Sequence, residues 1–412
     1  MRVAPIVFVV LAVATSAGAD VLDALDRRLT YRHDWLALDL SGEANVEGYL
    51  GTGHPTGLIF GDDPDVVAPR FTLFLDAHLG RHVYGFVQAS ADRGFDPLLE
   101  RNGQVRADQY LLRWSPLDGQ QLHLQIGKFA TVIGGWAPRH PVWDNAFVTA
   151  PLPYEYVTDV GDAAAPRTVA TMVDRRNDVD KKRLWVPMVW GPVYASGAAA
   201  FGHVDRFDYA VEVKNAAPSS RPEVWSLDDR GFSDPTVAGR VGVRPRPGWS
   251  LGVSGAVGPY LRQRASASLG DRNPGDFLQT LVGADAGMAF RRLELWAEIL
   301  ASRFDVPIAC GRCAGEPRRV DADTLAYYLE GRYEILPGLF GAVRVAQQVF
   351  GNVREGNGQR RAVDRDAWRL DGAIAYRPTR HVQAKLQYGY IDQTGSQTQG
   401  PQVVAMQVSV RF

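Results

Sequence analysis

The sequence predicts an all-β fold: a transmembrane antiparallel β-barrel of about 16 strands, within a range of roughly 14 to 18. Three observations predict it. The chain begins with an export signal and contains no later segment that could cross a membrane as a helix. Most of the chain alternates apolar and polar residues with a period of two. The segments that alternate are joined by connections that are short and long in turn.

The export signal is read first. Met1-Arg2 supplies a short positive start, and Ile6 to Ala14 (IVFVVLAVA) is an uninterrupted apolar run. Ala17 and Ala19 occupy the −3 and −1 positions of an A-x-A cleavage site before Asp20. Residues 1–19 are therefore expected to be a signal peptide, and residues 20–412 a single barrel domain. No Cys lies near the cleavage point to suggest a lipid anchor. After the signal no apolar run reaches the 18 or so residues a helix needs to span a bilayer. Backbone polar groups in lipid are satisfied only by helices or closed barrels, so a membrane role requires a barrel. The net charge of −1 implies no nucleic-acid partner.

The alternation is clearest at the end of the chain. Val404, Met406, Val408, Val410 and Phe412 face one way, and Gln407, Ser409 and Arg411 the other. Val382 to Tyr390, Phe71 to Leu79 and Leu293 to Ile299 repeat the pattern. Period two with one apolar side marks a half-buried strand. A soluble sandwich alternates in the same way, so the connections must decide.

Sixteen strands can be placed, at 35–50, 69–79, 82–91, 104–115, 120–130, 192–202, 206–215, 236–245, 248–258, 277–290, 292–303, 323–335, 338–350, 367–377, 380–392 and 402–412. Every second connection is tight, as at Gly80-Arg81, Arg246-Pro247 and Leu336-Pro337. The others are long and polar, and the third, 131–191, is the longest. Long extracellular loops on one rim and short periplasmic turns on the other characterise transmembrane barrels. Trp114, Trp249, Phe290, Tyr333, Trp368, Tyr376, Tyr390 and Phe412 sit near strand ends, where interfacial girdles belong. Val21 to Leu29 reads as a helical turn or a lead-in to the first strand.

The final segment, Val403 to Phe412 (VVAMQVSVRF), resembles the last strand of bacterial outer-membrane proteins, whose terminal Phe is an assembly signal. With the signal peptide and the loop rhythm, the chain from residue 20 onward resembles a 16-stranded porin. Gln125 to Gly135 (QIGKFATVIGG), followed by a long excursion, is loosely similar to phosphate-selective porins. The resemblance implies the outer membrane of a Gram-negative bacterium, and Phe412 as the signal read by the barrel-assembly machinery. It also implies outer-membrane lipids as surroundings, small hydrophilic solutes or ions as cargo, and a homotrimer. No cofactor is implied.

The third loop holds Trp136, Trp143, Phe147, Tyr154, Tyr156, Trp185 and Trp190. So many aromatic rings need a packed environment, and the barrel lumen offers one; an external cap or a subunit contact is the alternative. Alternation assigns Arg113, Arg240, Arg344, Arg369 and Lys385 to the lumen, with Asp76, Asp208, Glu212, Asp285, Glu294, Glu298 and Glu330. Arg344, Arg369 and Lys385 lie on successive strands and form a candidate basic wall. Opposed to loop acids such as Asp144, Asp159 and Asp178, it would set a transverse field across the pore. Charges that merely keep the channel wet are the alternative.

Catalysis and metal binding have little support. Gly248-Trp249-Ser250-Leu251-Gly252 matches G-x-S-x-G, but that motif needs a strand–turn–helix setting and here opens a strand. The eight His are scattered singly. Asn177, Asp178 and Asp180 could offer oxygen ligands to a hard cation but lack the spacing of a calcium loop. Cys310 and Cys313 (CGRC), in an exported chain, are expected to form a disulfide rather than a redox or zinc site. The expectation is a non-enzymatic channel for passive diffusion. A barrel-embedded hydrolase and a structural or adhesive barrel with a plugged lumen are the alternatives.

Overall fold

The computed structural model describes residues 16–52, 65–92, 103–174, 184–309, 318–395 and 400–412. Sixteen antiparallel strands close on themselves. In chain order they are β1 (Leu36–Thr52), β2 (Asp65–Leu79), β3 (Val83–Asp92), β4 (Gln104–Trp114), β5 (His123–Phe129), β6 (Ala195–Val204), β7 (Phe207–Lys214) and β8 (Thr236–Val243). They continue as β9 (Trp249–Pro259), β10 (Leu278–Phe290), β11 (Leu293–Pro307), β12 (Arg319–Leu336), β13 (Leu339–Phe350), β14 (Ala367–Thr379), β15 (Val382–Gln393) and β16 (Gln402–Arg411). Each strand pairs with its neighbours in sequence. The seam is closed by β1 on β16, from Glu43 opposite Arg411 to Thr52 opposite Gln402.

The barrel is inside out relative to a soluble protein. Phe71, Leu75, Val241, Val253, Val343, Leu370, Ile374 and Leu386 are exposed on its outer face. Their strand neighbours Thr72, Ser254, Arg344, Asp371, Lys385 and Gln387 are buried in the lumen. An apolar belt of this extent is stable only in lipid. Trp114, Phe207, Trp249, Phe290, Tyr333 and Tyr376 ring its short-turn edge, and Phe71, Trp368 and Tyr388 stand toward the other.

All sixteen expected strands are present, and the main differences lie at the loop ends. The β11–β12 ladder extends to Pro307 opposite Arg319. Here the apolar signal has ended, but the ladder continues on polar cross-strand pairs such as Arg303 Nε to Asp323 Oδ1 at 2.7 Å. In β4, Asp108 is an extra residue between the Gln109–Gln88 and Ala107–Ala89 pairs. This bulge reverses the facing of Arg106 and Asp108, so both enter the lumen.

Ahead of the barrel, helix α1 (Ser16–Arg28) leads to a short strand, Thr30–His33, that pairs with β1. The helix spans the expected cleavage point after Ala19, while residues 1–15 of the expected signal lie outside the described residues. Asp23 of α1 meets Arg380 Nε at 2.8 Å and His381 Nε2 at 2.5 Å, at the β14–β15 turn. These two partners hold its carboxyl below the usual carboxylate range. Cys310 and Cys313 also lie outside the described residues.

Candidate functional site

The connection from β5 to β6 enters the barrel and divides the lumen. It carries helix α2 (Leu152–Glu155), a small hairpin of Val157–Gly161 with Trp185–Pro187, and helix α3 (Val169–Val173). Thr168 caps α3, accepting from Thr171 N, which ends the helix start cleanly inside the loop. Ile133, Leu152, Tyr156, Val160, Met172, Val189 and Trp190 are buried against wall residues Leu281, Leu300, Phe304, Ala346 and Phe350. Trp225 and Tyr260, from the next two loops, complete this core.

Polar bonds fix the loop to the wall from β7 to β15, beginning with Thr131 to Glu212 at 2.8 Å and Gln279 to Met188 O at 2.8 Å. Tyr154 Oη donates to Glu298 Oε1 at 2.6 Å, and Tyr328 Oη to Glu298 Oε2 at 2.9 Å. Gly134 lies so close that a Cβ there would stand 1.8 Å from Glu298 Oε1, and its φ of +70° independently favours glycine. Arg139 donates to Glu330 at 3.0 Å and stacks on Trp296 at 4.1 Å. Gln387 Oε1 accepts from the backbone of Val148 and Thr149 at 2.8 and 3.1 Å.

Arg344, Arg369 and Lys385 do come together, on β13, β14 and β15, but beneath the loop rather than beside open water. Arg344 is fully buried, bonded to Asp371 at 2.9 Å and to Thr149 O at 3.1 Å, with Phe147 stacked 4.3 Å away. Arg369 binds Asp371 at 2.9 Å and also Glu155. Lys385 Nζ donates to Val142 O at 2.5 Å. Arg344 and Arg369 are thus neutralised by Asp371, Glu330 and Glu155, Lys385 is bonded to a loop carbonyl, and all three seat the loop.

The other candidates separate. Arg113 and Arg240 border a different cavity of about 420 Å³ toward the short turns. There Arg240 bridges Asp208 at 2.7 Å and Asp285 at 2.5 Å, and Arg113 contacts Gln125. Asp144 is exposed at the inner tip of the loop, and its carbonyl accepts from Arg332 at 3.3 Å. Asp159 is buried within the loop. Asp178, like the rest of the Asn177 to Asp180 group, lies outside the described residues. Among the described residues no cluster of His, Cys, Asp or Glu could hold a metal. Ser250 of the G-x-S-x-G match lies in the β9 ladder opposite Gly287, with strand continuing beyond it.

Open space remains on the opposite side, between the loop and β1–β4. This cavity, about 360 Å³, is faced by Trp136, His140, Tyr154 and Tyr194 of the loop segment. Its wall carries a ladder of charges: Arg70 to Asp92 at 2.9 Å, Arg106 to Asp92 at 2.9 Å and to Asp108 at 2.6 Å, with Glu47 3.9 Å from Arg70. His140 Nδ1 donates to Ala137 O at 2.5 Å, so its Nε2 accepts from Tyr194 Oη. Burial lowers the His140 pKa to about 4, which keeps the ring neutral.

Sequence reasoning did not single out this wall. Glu43, Asn45 and Glu47 alternate with Ala44 and Val46, so their lumen facing was available from period two. Arg106 and Asp108 were not, because the bulge breaks the parity.

No protein-family model matches the sequence, and no curated protein matches it. Solved structures are similar in fold. OmpT, an outer-membrane protein of Vibrio cholerae, superposes with a TM-score of 0.56 at 9% identity, over 93% of this chain and 100% of that one. OmpF of Salmonella typhi gives 0.56 at 12% identity, over 93% and 100%. An anion-selective porin from Comamonas acidovorans gives 0.53 at 9% identity, over 92% and 100%. The chain has the fold of bacterial outer-membrane porins: a closed transmembrane barrel of sixteen antiparallel strands.

Proposed function

We propose that the protein is an outer-membrane channel through which small hydrophilic solutes or ions diffuse passively. The observation that carries this reading is the divided lumen. The third loop is bound to β7–β15 by buried hydrogen bonds, and a charged, partly open passage is left along β1–β4. A lumen lined by Glu, Asp, Arg and Gln inside an apolar outer belt holds water across a membrane. The loop narrows that water column and so sets the size limit. A trimer in the membrane is part of the proposal, by analogy with the trimeric form of Vibrio cholerae OmpT.

The dense packing of the loop core favours a second reading, a barrel whose lumen is plugged and whose role is structural or adhesive. Planar-bilayer recordings of the purified protein separate the two. Discrete, ohmic conductance steps support the channel. Insertion without conductance, in protein whose gel migration shows a folded barrel, overturns it in favour of the plugged barrel.

A further inference from the structure

We propose that the cavity between the third loop and the β1–β16 seam is a binding subsite for solutes that carry an N–H-donating cation, a primary ammonium above all. The proposal rests on the channel reading and adds the class of solute that the passage favours.

Its basis is which polar atoms of the cavity are committed and which are free. Glu43, Asn45 and Gln407 all face it and are only 8%, 3% and 2% exposed. Glu43 and Asn45 stand two apart on β1, and Gln407 lies on β16 opposite Glu47. Glu43 Oε1, Asn45 Oδ1 and Gln407 Oε1 have no hydrogen-bond partner among the described residues. The Gln407 amide is oriented by its Nε2, which donates to Glu47 Oε1 at 2.8 Å, so the free atom is the acceptor.

The cations nearby are engaged elsewhere. Arg70 and Arg106 are held by Asp92, and Arg106 also by Asp108. Lys385, the ammonium next along the wall, is drawn to Val142 O. The free donors facing the cavity are the indole Nε1 atoms of Trp136 and Trp190, which are neutral. The uncommitted chemistry among the described residues is therefore a set of acceptor oxygens, one of them on a carboxylate, while the cations whose charge reaches Glu43 (Lys385, Arg70 and Arg411) are hydrogen-bonded to Val142 O, Asp92 and Arg380 O.

Buried acceptors gain most from a charged donor. An ammonium has three N–H groups, which suits the Glu43 and Asn45 acceptors two positions apart on β1, with Gln407 offering a further acceptor along the passage. Tyr49, Phe147 and Tyr154 supply apolar and ring faces for the carbon body of such a solute. An anion would meet Glu43 and find no free cation.

The test uses the full chain in planar bilayers, with propylammonium, tetramethylammonium and propionate added separately to a potassium chloride electrolyte. Propylammonium should block the current in a saturable way. Tetramethylammonium, a cation without N–H, and propionate should block far less. The double substitution Glu43→Gln with Asn45→Leu should weaken the propylammonium block by about tenfold, the loss of one charge-assisted hydrogen bond. Asn45→Asp, which adds a carboxylate at the same place, should strengthen the block and covers the case in which the double variant fails to fold. Equal block by tetramethylammonium, no block by any probe, or block unchanged in these variants overturns the subsite but leaves the channel standing. Absence of any conductance overturns the channel reading itself.

Discussion

Phe412, the last residue, and Gly42, on the first barrel strand, exchange both of their backbone hydrogen bonds, at 3.1 and 3.0 Å. The phenyl ring covers Gly42 so closely that a Cβ there would stand 2.5 Å from the ring's Cζ. The aromatic ring thus fills the place of a missing side chain where the barrel closes. Gly42→Val should displace the ring and slow closure, as should Phe412→Ser, which removes it. Heat-modifiable gel migration during refolding measures this. Unchanged closure rates for both variants would show that the contact is incidental.

Arg344 holds the third loop to the wall through Thr149 and neutralises Asp371. Arg344→Met leaves Asp371 with Arg369 as its remaining cation and takes the donor from Thr149, a loss of about 2–3 kcal/mol. Arg344→Lys should recover only part of it, because an ammonium cannot serve Asp371 and Thr149 with the same planar fork. Thermal unfolding in detergent, followed by the loss of the fast-migrating form, gives the order wild type, Lys, Met.

His140 makes the loop sensitive to acid. Burial holds its folded pKa at about 4, below the 6.5 of a free imidazole, so the folded state favours the neutral ring. The contribution to stability is complete above pH 6.5 and is lost as pH falls through that value toward 4. Protonation also ends its acceptance from Tyr194. Current fluctuations should increase across this window and should not do so in His140→Gln. Equal fluctuations in the two proteins would remove His140 as the sensor.

Deleting residues 144–182 removes α2, the first strand of the loop hairpin and α3, and with them part of the packed core inside the barrel. Conductance and the largest admitted polymer should both rise while the barrel still assembles, since the β5–β6 ladder from His123 to Phe129 does not depend on them. Liposome swelling with sugars of graded size reads the limit. An unchanged limit in a folded deletion variant would move the constriction to wall side chains.

The barrel was legible because its determinants are local. Each strand repeats one simple rule, as in Val404 to Phe412, and each short turn is marked by Gly, Pro or Arg. The site was less so. Period two shows that Arg344 faces inward, yet not that Thr149, some two hundred residues earlier, will cover it. Alternation also fails at the Asp108 bulge, where one unpaired residue moves Arg106 into the lumen. The loop's aromatic residues signalled packing, but the wall they pack on was chosen by long-range contacts such as Tyr154 to Glu298. Helix α1 had weak cues, because its anchor, Asp23 on His381, joins opposite ends of the chain.

The pairing of β1 with β16 has a consequence for assembly. Glu43 and Asn45 lie on β1 and Gln407 on β16, so the acceptor group of the proposed subsite is assembled only when these two seam strands have paired. A truncated or half-inserted product can carry every loop and nearly every wall residue and still lack it. Selectivity in the proposed subsite would thereby arise only once the barrel has no free edges.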